Sequence, residues 1–311
     1  MKQFRFKYIM LLGAVLFVLP FTSCKTSKVV VSDKTLDNAL LWEITGPGIS
    51  KPSYLYGTIH LIESKDYFLP KGTMTALDKV DKIVFEIDMK DMSDMSAMMR
   101  LMDKLFMKDN KTLKDLLSEK DYTYVGEYFK KKGLPLMMIE KMKPMFLTAL
   151  TYGDMEPGGL DGGKMKSYEM ELMEIAKSNN KETGGLETID FQLSLFDEIP
   201  YEAQANMLLE SIKSSEGGES GSNELNEMTK MYLKQDINSM ANMISEEDKN
   251  TEGFEEKLLT KRNENWIPLI IEGAKKGSVF YAVGAGHLGG PKGVINLLRK
   301  EGIRVIPLSH K

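Results

Sequence analysis

Two short runs, far apart in the chain, constrain the fold more than anything else. Tyr54-Leu55-Tyr56 leads into Gly57-Thr58-Ile59-His60, and Val279-Phe280-Tyr281-Ala282-Val283 leads into Gly284-Ala285-Gly286-His287. Each is a buried-strand signature ending in G-x-x-H, so the two ends of the domain read as related halves of one sheet. Further strand patterns stand beside them. Leu41-Trp42-Glu43-Ile44 alternates, Gly46-Pro47-Gly48 marks a turn, Ile83-Val84-Phe85-Glu86-Ile87 is a second apolar run, and residues 304–308 close the pattern. Residues 293–300 read as a helix. Between these ends, residues 89–265 have apolar positions three and four apart, the helical period. Residues 216–223 (EGGESGSN) break that period and predict an exposed flexible loop. The expectation is an α/β domain: a central mixed sheet from two β-rich end segments with a large helical insertion.

The N-terminus predicts export. Lys2, Arg5 and Lys7 precede an apolar stretch over residues 8–19. That suits a signal sequence and falls short of the ~20 residues a transmembrane helix needs. Phe21-Thr22-Ser23-Cys24 follows and holds the single cysteine. Small residues before a cysteine at such a point resemble a bacterial lipobox, with Phe21 where leucine is usual. On this reading residues 1–23 are a lipoprotein signal peptide, and Cys24 carries acyl chains that anchor it to a membrane. Residues 24–36 are a tether and residues 37–311 the folded domain. No acidic run follows Cys24, so a periplasm-facing, lipid-anchored place in the bacterial cell envelope is expected. One cysteine excludes a disulfide framework and any multi-cysteine metal site. With 41 Lys+Arg against 45 Asp+Glu, three of the cations in the leader, the body is acidic and carries no basic run. Nucleic acid is not an expected partner, because phosphate neutralisation dominates that affinity.

Of three histidines, His310 lies at the C-terminus, and the other two close the G-x-x-H turns. Ligands bind at strand carboxyl ends in open α/β sheets, so both imidazoles are placed for chemistry. Two imidazoles and a carboxylate make a catalytic metal site. Glu86, inside an apolar run where an unpaired carboxylate is costly, is the candidate third ligand or general base. Glu187, in Gly184-Gly185-Leu186-Glu187-Thr188, is a second candidate ligand, catalytic base or substrate-positioning group, and also reads as a helix N-terminal acid. Arg262 is a candidate oxyanion or substrate-carboxylate partner, or a surface helix arginine. Met89, Met92, Met95 and Met98 recur every third residue. That is one apolar helix face; a Cu(I) site or a Met-lined peptide groove would share the spacing. Gly284-x-Gly286-x-x-Gly289 matches the dinucleotide fingerprint, but about 20 residues on, where an acid should hold the ribose, stands Pro307-Leu308-Ser309-His310. No G-x-S-x-G for a serine hydrolase occurs.

Taken together, these segments resemble the TraB/PrgY/GumN family, which includes the Tiki metalloproteases. The resemblance rests on the opening 41–44, on Tyr54-Leu55-Tyr56-Gly57-Thr58-Ile59-His60-Leu61 and on Phe85-Glu86. Gly185-Leu186-Glu187-Thr188 with Gln192, Arg262-Asn263 and Val283-Gly284-Ala285-Gly286-His287-Leu288 complete it. It departs at Lys164-Met165-Lys166-Ser167-Tyr168, where an acid is expected. The resemblance implies an α/β fold in which His60, His287 and Glu86 surround a divalent metal. Manganese or cobalt is suggested and zinc is possible. It implies a peptide or protein substrate and a hydrolase of the peptidase class. The alternative it leaves open is a non-catalytic envelope lipoprotein that binds a peptide or haem.

Overall fold

Alternation at Leu41 becomes strand β1 (Leu41–Thr45), and the apolar run at Tyr54 becomes β2 (Ser53–Thr58). A computed structural model describes residues 35–88, 95–151, 164–216, 221–248 and 256–308. Its further strands are β3 (Ile62–Glu63), β4 (Lys82–Ile87), β5 (Met165–Lys166), β6 (Glu182–Glu187), β7 (Val279–Gly284) and β8 (Arg304–Pro307). Six form one sheet in the order β6-β4-β7-β2-β1-β8, while β3 and β5 pair separately. β6, β4, β7 and β2 are mutually parallel; β1 runs antiparallel to β2 and β8. β2 is buried along its whole length, as expected of a parallel strand covered on both faces, and so reads as a continuous run.

Helices precede β4, β6 and β7, and two of them pack back onto the sheet. Tyr168–Ser178 packs on β4 and β6, and Lys261–Lys276 on β6 and β7. The core around the sheet holds Trp42, Tyr54, Tyr56, Phe280 and Trp266, all 2% exposed or less. Each such large side chain contributes about 1.5–3 kcal/mol by leaving water. A satellite core of Leu113, Val125, Phe129, Leu147, Leu208 and Ile212 sits within the helical region.

The mixed α/β sheet matches the sequence expectation, but the stretch read as helical holds two strands, β5 outside the main sheet and β6 within it. β6, in the stretch read as helical, is an edge strand of the main sheet and carries Glu187. Its glycines hid it. A Cβ on Gly185 would run into the Asp88 backbone nitrogen, so close pairing with β4 requires glycine there. Of the segment 216–223 expected to be a loop, Glu216 ends helix Tyr201–Glu216 and Gly221, Ser222 and Asn223 open helix Gly221–Leu233, while residues 217–220 lie outside the described residues. Cys24 with the leader, Met89, Met92 and His310 lie outside the described residues.

Candidate active site at the carboxyl edge of the sheet

Because β2, β4, β6 and β7 are parallel neighbours, their carboxyl ends open on one edge, where loops converge on a crevice. β2 delivers Thr58 and, two residues on, His60. β4 delivers Glu86, β6 ends on Glu187, and β7 runs through Gly284 into the turn bearing His287. Pairing of Thr58 with Gly284, and of Ile87 with Glu187, keeps these ends level. A Cβ on Gly57 would stand 2.7 Å from Leu288 Cδ1 and 3.1 Å from Ala285 Cα, so the two G-x-x-H turns touch only because of glycine.

His287 is 4% exposed, and its ring lies 4.5 Å from that of Trp266. Asn263 Nδ2 donates to the Lys292 carbonyl, which turns Oδ1 toward His287 Nδ1 at 2.6 Å. An amide oxygen only accepts, so Nδ1 carries the hydrogen and Nε2 keeps its lone pair. Burial pushes this imidazole down to about 3, and it is neutral at ordinary pH.

Glu86 Oε1 accepts the Gly284 N–H at 2.7 Å and lies 3.7 Å from His287 Nε2. Its Oε2 accepts from Arg262 Nη2 at 2.5 Å and from Gln192 at 3.2 Å. Burial alone would raise this carboxyl, but the charges of His287, Arg262 and His60 and the Gly284 N–H hold it well below the usual carboxylate range. Arg262 stays charged beside Glu86 when His287 is neutral.

Arg262 is 6% exposed, not a surface residue. Nε donates to Glu187 at 2.9 Å, and Nη2 to Glu187 and Glu86. Nη1 donates to the Leu258 carbonyl at 3.0 Å and faces His287 Nε2 at 3.2 Å. A guanidinium has five hydrogens to donate, and all five are engaged. The oxyanion role expected from sequence therefore has no spare donor in this arrangement; Arg262 positions Glu86. Glu187 lies behind it, also accepting from Trp266 Nε1 at 3.0 Å and Gln192 at 3.2 Å. Burial raises the Glu187 carboxyl despite the bonds from Arg262 and Trp266. Arg262, Asn263 and Trp266 share one helical turn, so one helix face supplies the site's cation, tautomer-setting amide and indole.

His60 differs. Its side chain is 79% exposed, and its Nδ1 faces Glu169 Oε1 at 3.5 Å. Glu169 also accepts from Thr58 Oγ1 at 2.8 Å and Ser167 Oγ at 3.1 Å. The bond to Glu169 raises the His60 pKa above the ordinary imidazole value. Glu169 was missed in sequence, where it reads as a first-turn helix acid. Yet it follows directly on the segment that lacks the expected acid, which is the signal that could have found it. Trp266 had no signal beyond its spacing from Arg262.

His60, Glu86, Arg262 and His287 line one cleft of about 490 Å³, walled by Phe196, Met228, Met240, Ile244, Leu258 and Leu259. Glu187 does not line it. Among the described residues no three His, Cys, Asp or Glu side chains are already gathered as a metal site. The donor set still fits a divalent cation. Asn263 Oδ1 accepts from His287 Nδ1 and Glu169 Oε1 lies 3.5 Å from His60 Nδ1, so Nε2 of each ring is the atom that would ligate, that of His287 in place of its 3.2 Å contact with Arg262 Nη1, with an ionised carboxylate beside them.

A part-parallel sheet with two histidines, two carboxylates and a buried arginine at its carboxyl edge defines an α/β protein with charged groups gathered at one sheet edge. The chain belongs to the TraB/PrgY/gumN family, whose match covers residues 40–307. It is 22% identical over 320 residues to Metalloprotease TIKI1 of Danio rerio, covering 86% of this chain and 63% of that protein. It is 22% identical over 328 residues to Metalloprotease TIKI2 of Danio rerio (88% and 62%). Against Metalloprotease TIKI1 of Homo sapiens it is 22% identical over 323 residues (86% and 61%). The chain thus spans about three-fifths of the length of these relatives. No solved structure matches the chain at a significant level.

Proposed function

We propose that the chain is a divalent-metal-dependent peptidase, with the metal held by His60, His287 and Glu86. The observation that carries this reading is the shared grip on the two imidazoles. Asn263 holds Nδ1 of His287 and Glu169 faces Nδ1 of His60, the arrangement that orients metal-binding histidines. A bound manganese, cobalt or zinc ion would supply a water of lowered pKa and polarise a peptide carbonyl.

The chain's own groups divide the remaining work. Glu86, ionised and fixed by the Gly284 N–H and Arg262, serves as ligand or takes the proton of the attacking water. Glu187, Gln192 and Trp266 hold Arg262 and Glu86 in place. His60 ligates once it sheds the proton that Glu169 favours. The apolar walls exclude water and suit a substrate with an apolar side chain beside the bond to be cleaved. Anchoring through Cys24, and a periplasm-facing address, rest on the leader sequence.

The test is a mixture of unstructured peptides offered to the metal-loaded full chain, with new termini read by mass spectrometry. Cleavage enriched next to apolar residues, abolished by chelator and by Glu86→Gln, is expected. Stoichiometric capture of peptide or haem with no new termini would replace the hydrolase by a binding protein.

A further inference from the structure

Away from the cleft, the satellite core carries a surface whose chemistry does not match water. Helix Glu119–Lys131 runs out through Lys132 and Gly133 (φ 77°) into Leu134, Pro135 and the helical turn Leu136–Ile139. All four residues of that turn are apolar. Leu136 and Ile139, 9% and 8% exposed, plug the satellite core. Met137 and Met138 point the other way and are 82% and 74% exposed, with Leu134 beside them at 37%. Lys130, Lys132 and Lys141 are exposed around this tip. Glu140, the next residue in the chain after Ile139, accepts the Tyr122 hydroxyl at 2.6 Å.

We propose that this turn is a membrane-docking tip that seats on an anionic lipid surface. Unbranched methionine side chains at a convex turn enter the boundary between headgroups and acyl chains without a preformed groove. The lysines bury their stems while their ammonium groups stay level with lipid phosphates. The exposed lysines beside the turn favour a phosphate surface as its occupant. The inference is independent of the peptidase reading and of the N-terminal anchor. With an anchor, the tip would give a second contact and fix the domain's orientation on the bilayer.

Hydrogen exchange on the full chain tests it, because the readout is local to residues 133–141 whatever the leader does. Vesicles of phosphatidylglycerol with phosphatidylethanolamine should slow exchange there, phosphatidylcholine vesicles should not, and added salt should reverse the effect. Met137→Ser/Met138→Ser should lose the slowing while keeping the parent's melting temperature. Unchanged exchange on anionic vesicles, equal slowing on neutral ones, or equal slowing in the variant would each overturn the proposal. Slowing by a soluble acidic polypeptide but not by vesicles would do so too, and would assign the tip to an acidic protein.

Discussion

Asn263 and Arg262 are adjacent in sequence and do opposite things to the cleft. Asn263 fixes a neutral tautomer on His287, whereas Arg262 binds two carboxylates that would otherwise be buried unpaired. Asn263→Leu should weaken manganese binding about 10–100-fold, as loss of a ligand-orienting partner does. Calorimetric titration reads this, and an unchanged affinity would break the link between tautomer and metal. Arg262→Met should cost about 3–5 kcal/mol in denaturant unfolding, because it strands Glu86 and Glu187. Arg262→Lys should rescue little, since three hydrogens on one nitrogen cannot replace a five-donor fork. The pH dependence of the chelated, metal-free protein follows from His287. Its folded value of about 3 lies below the unfolded 6.5, so the unfolded chain takes the proton first. Stability should fall as pH drops from 6.5 toward 3, by up to about 1.4 kcal/mol per pH unit, and be flat in this respect above 6.5. His287→Gln should lose that slope in the upper part of the window. Glu86, also depressed, adds a loss of the same sign only once pH falls below about 4.3.

At the scale of elements, contact between the two G-x-x-H turns is what brings both histidines to one cleft. Gly57→Ala would press on Leu288 and on the Ala285 backbone. It should cost about 1–3 kcal/mol as an overpacking change and reduce metal affinity by shifting His60. Equal affinity in a folded variant would show the turns to be independent. Tyr232 donates its hydroxyl to the Gly57 carbonyl at 3.0 Å, tying helix Gly221–Leu233 to the same turn. Here the limits of the sequence are physical. The runs at 54–56, 83–87 and 279–283 are legible as strands because buried parallel strands are apolar throughout. β6 was not, since Glu182-Thr183-Gly184-Gly185-Leu186-Glu187 has one large apolar side chain and is held by pairing with β4 rather than by propensity. His60, Glu86, Glu187, Arg262 and His287 were legible from rarity, burial cost and family likeness. That Glu169 partners His60 is signalled only by the missing acid in the segment just before it, and that Arg262 spends its hydrogens inside the protein is a tertiary fact with no local pattern.

Across the whole molecule, one sheet edge collects residues from positions 60 to 287, and apolar side chains gather at two separate surfaces. The cleft walls face the polar floor, whereas Met137 and Met138 face outward on the satellite core. The central claim is that the gripped imidazoles bind metal, and elemental analysis of the full chain tests it most directly. Protein purified without chelator and offered manganese, cobalt and zinc should hold close to one divalent ion per chain. The His60→Ala/His287→Ala variant, folded by circular dichroism, should hold none. Equal metal content in parent and variant, or none in the parent under every supply, would contradict the account.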